Sequence, residues 1–248
     1  AGLALDIAGI TTVAGNVGVA QTTVNALRVC QLAGRPDVPV HAGCAQPILR
    51  PLHTAEFMCG ADGLAGMDIP APRRPAQPSH AVPFLIDCIR GSGSGMTICA
   101  LGPLTNIATA LRKAPDIAER IAEIVLMGGA YFEVGNITPA AEFNIHVDPQ
   151  AADIVFRAGA PITVMPLDVT HKALTTAKRV EAFRALGTRL DPLRSRESEI
   201  TAGFTVDEGG DHTVIVRRGV LEYRAGRPER ADLRVALPRE TWLRIAGG

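Results

Sequence analysis

The sequence has few aromatic residues and no excess of charge of either sign. One tryptophan and two tyrosines occur among 248 residues, which argues against a surface that stacks the successive bases of a nucleic-acid strand. Lysine plus arginine number 25, aspartate plus glutamate also number 25, and the formal net charge is zero. A neutral chain gives no reason to expect a polyanionic partner. The composition therefore predicts no binding of nucleic acid.

Paired cysteines and long apolar runs are also lacking. The five cysteines are odd in number and include no Cys-x-x-Cys pair, so neither a structural zinc site nor a disulfide framework is expected. No apolar run approaches the roughly 20 residues that a membrane-spanning helix needs, and the first residues lack the basic start of a signal peptide. We therefore expect a cytoplasmic protein without a membrane partner.

The apolar residues, 47% of the chain against 20% charged residues, suffice for a globular core. Apolar and β-branched runs alternate with segments of helical periodicity, which indicates strands followed by helices. Strands are predicted at residues 7–14, 96–101, 124–127 and 162–165, and the helices include residues 105–113 and 149–158. This alternation predicts an α/β fold with an open, mostly parallel, doubly wound sheet and helices on both faces.

The pattern changes near residue 190. Residues 1–190 carry the alternation of strands and helices and are predicted to form one α/β domain. Residues 191–248 are predicted to be β-rich, with strands at residues 214–223 and 233–237, and to pack on the same domain. The first residues lead directly into an apolar strand, so we expect the sequence to start inside the domain, with the first strand of the sheet missing.

Polar residues follow several of the predicted strands. Ligands of open α/β sheets bind at the carboxyl ends of the strands, which makes Asn16, Asn136, Glu142 and Asn144 candidate binding residues. Glu142 and Asn144 flank Phe143 and would point to the same side if this segment were extended. Simpler alternatives exist, because Asn16 could be a turn residue, and Glu142 and Asn144 could form a solvated strand face.

Three further residues at strand ends have structural interpretations that compete with ligand binding. Met127 is by default a core residue. Asn106 suits the start of a helix, and Asp168 suits a brace for the loop after its strand.

Five segments occur in this order and with the spacing of one protein family: residues 9–16 (GITTVAGN), 100–108 (ALGPLTNIA), 124–130 (IVLMGGA), 135–156 (GNITPAAEFNIHVDPQAADIVF) and 166–176 (PLDVTHKALTT). Together they resemble the nucleoside hydrolases of the inosine–uridine-preferring type, over about residues 3–190. The resemblance implies a doubly wound α/β fold and hydrolysis of the N-glycosidic bond of ribonucleosides to ribose and free base. It also implies a calcium ion that binds the ribose diol and the attacking water, and a homodimer or homotetramer.

The resemblance also implies substrate-binding roles for five residues. Asn16 resembles a residue that contacts ribose, and Met127 resembles one that packs against it. Asn136 and Glu142 resemble ligands of the 5′-hydroxyl, and Asn144 resembles a ligand of the other ribose hydroxyls. The chemistry of these side chains suits a polyol, because asparagine both donates and accepts while glutamate accepts, and an unpaired buried hydroxyl costs about 1–3 kcal/mol.

The metal ligands implied by the resemblance are only partly represented. Leu101 resembles the position whose backbone carbonyl binds calcium, and Asp191 is the nearest match to the aspartate of a late His-Asp-Pro motif, although Leu190 precedes it. The aspartate-rich D-T-D-P-G-x-D-D motif, which supplies most calcium ligands and the general base, does not occur in the sequence, and Cys59 stands where the family commonly has histidine. Calcium takes about six to eight oxygen ligands. We therefore assign no catalytic residue and expect weak or no hydrolysis from this polypeptide alone.

Two alternatives follow. The chain could be a catalytically inactive member of the family that binds ribose or acts as an interaction module. Residues 199–207 faintly resemble a late segment of the same family, whereas residues 216–248 resemble the last strands and helix of sterol-carrier-type lipid-binding domains. The first of these resemblances is preferred because it keeps the chain in one family.

Overall fold

The computed structural model describes residues 6–67, 69–93, 95–173, 199–206, 210–217, 220–225 and 227–237. The chain divides into two compact units, Leu5–Ala173 and Leu174–Gly248, the second together with Ala1–Ala4. The domain boundary predicted at residues 190 and 191 lies outside the described residues. Within the ranges given above, no helix combines the length and the apolarity that a membrane span requires.

Strands and helices alternate through the first unit. Its strands are β1 (Ile10–Thr12), β2 (Val40–Ala42), β3 (Met96–Ala100), β4 (Ile121–Met127) and β5 (Ile162–Met165). Its helices are α1 (Val19–Leu32), α2 (Glu56–Cys59), α3 (Ala81–Gly91), α4 (Thr105–Lys113), α5 (Phe143–Val147), α6 (Pro149–Phe156) and α7 (Leu167–Thr170), with a 3-10 helix at Pro115–Arg120. The predicted bounds of α4 and β5 are confirmed. Strand β1 is shorter than predicted, because its partner β2 offers only three residues, from Ile10↔Val40 to Thr12↔Ala42.

The described strands of this unit pair only in parallel. Strands β1 and β2 form one ladder, and β3, β4 and β5 form another with β4 in the centre. Parallel neighbours need a crossover connection, usually a helix, and α4 leads from β3 to β4 while α6 leads from β4 to β5. The predicted α/β class with parallel strands in open sheets and helices packed on them is confirmed. The carboxyl ends of β3, β4 and β5 consequently lie at one edge.

The core of this unit lies between β3–β5 and helices α3, α4 and α6. Alternate residues of β4, Ile124 and Leu126, are almost completely buried there, as are Ile89 of α3 and Val155 of α6. Burial of each such side chain stabilises the fold by about 1.5–3 kcal/mol. This packing fixes the edge from which the site residues project.

The second unit contains a four-stranded sheet. Its strands are β6 (Glu199–Val206), β7 (Gly210–Arg217), β8 (Val220–Ala225) and β9 (Leu233–Leu237), in the order β8-β7-β6-β9. Strand β9 has its predicted bounds. The single strand predicted at residues 214–223 is wrong, because β7 and β8 are antiparallel partners with Arg217 opposite Val220. Folding back lets the two halves of this apolar run satisfy each other's backbone groups.

Candidate functional site

The loops that follow β1, β2 and β3 meet through one buried side chain, that of Asn106. Its amide nitrogen donates to the Thr12 carbonyl at 2.8 Å, and its amide oxygen accepts from the Cys44 backbone at 2.8 Å. Asn106 is 4% exposed, so both ends of the amide are used inside the protein. This geometry supports the structural interpretation of Asn106 and gathers three strand ends at one place.

Glu142 organises the segment that follows β4. Its side chain is 2% exposed, and Oε2 accepts from the backbone amides of Gly129 at 3.1 Å, Asn144 at 2.9 Å and Ile145 at 3.3 Å. The extended conformation considered for Glu142–Phe143–Asn144 is wrong, since Glu142 caps α5 and Asn144 lies in its first turn. A carboxylate at this position satisfies amides that a helix start leaves unpaired.

Two asparagines lie around Glu142 with their amide orientations fixed by backbone groups. Asn144 donates from Nδ2 to the Met127 carbonyl at 3.0 Å and to Met127 Sδ at 3.3 Å. The Oδ1 atom of Asn136 accepts from the Phe143 amide at 2.8 Å. The structure thus brings together Met127, Asn136, Glu142 and Asn144, four of the five predicted substrate-binding residues.

Each of these polar side chains keeps one atom available. Among the described residues, Glu142 Oε1, Asn136 Nδ2 and Asn144 Oδ1 have no hydrogen-bond partner. The set offers two acceptors and one donor on side chains whose other atoms are already held. Such an arrangement can bind neighbouring hydroxyl groups that both donate and accept.

Asn16 and Leu101 lie on neighbouring loops. Asn16 is exposed, and its carbonyl accepts from the Ala55 amide at 2.9 Å. Ala55 packs with Phe143 in a small buried cluster, so the loop after β1 is connected to the segment that carries Asn144. Leu101 follows β3 directly, with its side chain 81% exposed. The roles predicted for both residues stay predictions.

A calcium site cannot be assembled from the described residues alone. In these ranges no three His, Cys, Asp or Glu side chains form a group that could hold a metal ion, and a single carbonyl such as that of Leu101 falls far short of the six to eight oxygens that calcium takes. Asp191 lies outside the described residues. Cys59 ends α2 and carries a free thiol. The residues described do not fit the ion by themselves.

Asp168 braces the loop between Gly129 and Asn136. Its carboxylate accepts from the backbone amides of Tyr131 at 2.8 Å, Phe132 at 2.8 Å and Glu133 at 3.2 Å, and its neighbour Leu167 donates its amide to the Gly129 carbonyl at 2.9 Å. These bonds, that from Tyr131 foremost, hold the pKa of Asp168 below its usual range. Asp168 thus acts as a brace, but for the loop after β4 and not for the loop after its own strand β5.

Asp148 is a residue whose importance the sequence analysis missed. It is completely buried, and its carboxylate accepts from the Ile48 amide at 3.0 Å, the Thr105 hydroxyl at 2.7 Å and the Ala151 amide at 3.0 Å. An aspartate directly before a proline is a signal for a helix start, and Asp148 does cap α6. The sequence therefore contained the signal for the helix cap, but nothing in it indicated the hydrogen bonds to Ile48 and Thr105.

The parallel α/β fold therefore carries a cluster of amide and carboxylate groups, each with one polar atom held and one available, at the edge of the sheet where open α/β sheets bind their ligands. The family model for the inosine-uridine preferring nucleoside hydrolases matches residues 2–216. The chain belongs to this family.

Relatives agree with this assignment. An uncharacterized protein of Schizosaccharomyces pombe is 53% identical over 190 residues, which are 76% of this chain and 61% of that protein. The pyrimidine-specific ribonucleoside hydrolase RihA of Salmonella enteritidis is 43% identical over 204 residues, 82% of this chain and 65% of RihA. The solved structure of a purine-preferring ribonucleoside hydrolase from Gardnerella vaginalis superposes with a TM-score of 0.71 at 40% identity, covering 75% of this chain and 60% of that one. The chain thus spans less than two thirds of the length of these relatives.

Proposed function

We propose that the protein to which this chain belongs cleaves the N-glycosidic bond of ribonucleosides, releasing ribose and the free base, and that this chain supplies the residues that bind the ribose. The observation that carries the proposal is the cluster in which Glu142, Asn136 and Asn144 each have one polar atom fixed by the backbone and another available. Family membership supplies the reaction class.

The geometry suits a sugar in three respects. Glu142 Oε1 accepts from a hydroxyl, Asn136 Nδ2 donates to one, and Asn144 Oδ1 accepts from one, each within a segment that directly follows β4. The half-buried thioether of Met127 lies beside Asn144 and packs against the less polar face of the ring. Net hydrogen bonds of this kind contribute about 0.5–1.5 kcal/mol each, and those to a charged group contribute about 1.5–3 kcal/mol.

The charge of Glu142 also suits the reaction. Cleavage of a glycosidic bond passes through a sugar with oxocarbenium character, which carries positive charge. A buried carboxylate held in place by three backbone amides stabilises that charge without having to reorganise. The water-activating base, and the metal ligands beyond the predicted carbonyl of Leu101, are then supplied by residues other than those described.

The test is the release of ribose from inosine and from uridine by the chain, measured with added calcium and with a chelator, beside calorimetric titration of ribose. Turnover supports the proposal and contradicts the expectation that this polypeptide alone has weak or no activity. Ribose binding without turnover favours the alternative of an inactive ribose-binding member. Absence of both ribose binding and turnover refutes the proposed role of the cluster.

The preferred base does not transfer from the relatives. RihA is named pyrimidine-specific and the Gardnerella vaginalis protein purine-preferring, although both are similar to this chain to nearly the same extent. Both classes of ribonucleoside therefore enter the test. Calcium as the metal, the homodimeric or homotetrameric state, the cytoplasmic location and the lipid-binding alternative for residues 216–248 stay predictions.

A further inference from the structure

The loop of residues 129–136 leaves four successive side chains exposed in its middle. Tyr131 and Phe132 are 80% and 90% exposed, Val134 is 68% exposed, and Glu133 between them is exposed as well. A segment that buries so little apolar surface has no packing to hold it in place. Its position therefore depends on the hydrogen bonds of its backbone.

Asp168 supplies those hydrogen bonds. Its Oδ2 atom accepts from the Tyr131 amide at 2.8 Å, and its Oδ1 atom accepts from the amides of Phe132 at 2.8 Å and Glu133 at 3.2 Å. Within the part of the chain that the structure describes, the backbone of residues 131–134 makes no other hydrogen bond. A single half-buried carboxylate therefore fixes the middle of this loop.

Both ends of the loop meet the proposed ribose cluster. At one end the Gly129 amide donates to Glu142 Oε2 at 3.1 Å. At the other end Asn136 Oδ1 accepts from the Phe143 amide at 2.8 Å. The loop that Asp168 holds is thus the segment that joins an anchor of Glu142 to Asn136, whose Nδ2 atom is the available donor of the cluster.

The turn that leads from the loop into Asn136 is tightly packed. A side-chain carbon at Gly135 would collide with backbone atoms of Thr138 and Ala141, and the Asn136 amide donates to the Ala141 carbonyl at 3.1 Å. A turn packed this closely resists deformation and transmits strain. A displacement of residues 131–133 therefore reaches Asn136 and is not absorbed before it.

We propose that Asp168 is a positioning residue for ribose, which acts through the loop and does not touch the sugar. By fixing residues 131–133 it places Asn136 Nδ2 at the distance from Glu142 Oε1 that neighbouring hydroxyl groups require. The inference rests on the proposed function and deepens it, because it names a residue outside the cluster that sets the geometry of binding. Binding groups held by such a support spare a ligand the cost of ordering them.

The experiment measures the affinity for D-ribose by calorimetry, and KM for inosine where the chain turns it over. The variants are Asp168→Ala, Asp168→Asn, Asn136→Ala and the double variant with both alanines. The matched control is Asp62→Ala, because Asp62 is also a half-buried aspartate that accepts from two backbone amides, those of Leu64 at 3.0 Å and Gly66 at 3.3 Å. Among the described residues, no hydrogen bond joins residues 60–66 to the ribose cluster.

Asp168→Ala is expected to weaken ribose affinity about fivefold or more. Asp168→Asn keeps one of the two acceptor atoms and should lose less, and Asp62→Ala should match the unaltered chain. In the Asn136→Ala background the Asp168→Ala change should have no further effect, which a merely structural role of Asp168 would not produce. Thermal unfolding establishes that each variant is folded at the temperature of the titration, and Asp168→Asn carries the comparison if Asp168→Ala does not fold.

Three results overturn the assignment while the proposed ribose cluster stands. The first is a folded Asp168 variant whose ribose affinity changes by less than about twofold. The second is an equal loss with and without the Asn136 side chain, which places the effect elsewhere. The third is an equal loss from Asp62→Ala, which would show a general loosening of the fold. An unaltered chain that neither binds ribose nor turns a nucleoside over refutes the proposed function and this inference together.

Discussion

Replacement of Asp148 by alanine is expected to destabilise the first unit strongly. The completely buried carboxylate is the common acceptor for the amide of Ile48 in the loop after β2, the hydroxyl of Thr105 at the start of α4, and the amide of Ala151 in α6. Alanine removes the acceptor and leaves three donors without a partner at once. Because the site is buried, entering water cannot easily replace the lost oxygen atoms.

The magnitude follows from the individual bonds. Loss of the helix cap at Ala151 costs about 1 kcal/mol, and each of the other two buried donors costs about 1–3 kcal/mol when unpaired. The variant is therefore expected to lose about 3–7 kcal/mol of unfolding free energy, a large share of the 5–15 kcal/mol typical of a domain. Asp148→Asn retains one acceptor oxygen and should lose about 1–2 kcal/mol.

The assay is urea denaturation followed by far-ultraviolet circular dichroism. Asp153→Ala is the matched control on the same helix, because Asp153 is 61% exposed and pairs with Arg157 at the i,i+4 spacing; such pairs contribute about 0.3–0.5 kcal/mol. A double-mutant cycle with Thr105→Val should give a coupling energy of about 1 kcal/mol or more. A loss below about 1 kcal/mol for Asp148→Ala, or no coupling to Thr105, would refute the reasoning.

Three other predictions concern the site and the edge of the sheet. Glu142→Gln should weaken ribose binding about tenfold, as measured by calorimetry, because the change removes the negative charge and one acceptor atom; unchanged affinity would contradict the role of Glu142. The pKa of Asp168 is lower in the folded protein than in the unfolded chain. The ionised carboxylate therefore contributes fully to the stability of the fold above the unfolded pKa of about 3.9, and this contribution is lost as the pH falls through the lower pKa of the folded state. Hydrogen exchange of the peptide spanning residues 129–136 should therefore accelerate in that acid range, and Asp168→Asn should abolish this step; persistence of the step would assign it to another group. Asn106→Ala should lower the unfolding free energy by about 2–6 kcal/mol in urea denaturation, because both the Thr12 carbonyl and the Cys44 amide lose a buried partner, and a loss below about 1 kcal/mol would show that water replaces the amide.

The fold was predictable where local signals and tertiary packing agree. Helix α4 has its predicted bounds because apolar residues recur at helical spacing between Pro103 and Pro115, which limit it on both sides. The strand predicted at residues 7–14 is too long. A run of β-branched residues shows only that the segment favours extended backbone, whereas the paired length of a strand is set by its neighbour, here the three residues of β2. For the same reason the pattern at residues 214–223 predicts one strand, although this run forms two antiparallel strands.

The site was predictable in its residues but not in its contacts. The motif around Glu142 gave the side chains that the structure brings together, yet the extended conformation considered for them was wrong, because a carboxylate next to free amides forms a helix cap instead. The partners of the cluster lie 13 and 17 residues away, at Gly129 and Met127. Contacts at such separations depend on how the carboxyl end of β4 is placed next to the start of α5 in the folded protein. A local sequence pattern does not encode this placement.

The alternative of a solvated polar face can be weighed against the geometry. An asparagine or glutamate on such a face has all its polar atoms in water and samples several rotamers, so a ligand that binds there must order each side chain at a cost of about 0.5–1.5 kcal/mol. In this protein the backbone already holds Glu142, Asn136 and Asn144 through one atom each. These side chains have therefore lost their rotamer entropy on folding, before any ligand binds. A sugar therefore encounters groups that gain from binding without first being immobilised, whereas the same residues on a mobile surface would yield little net affinity.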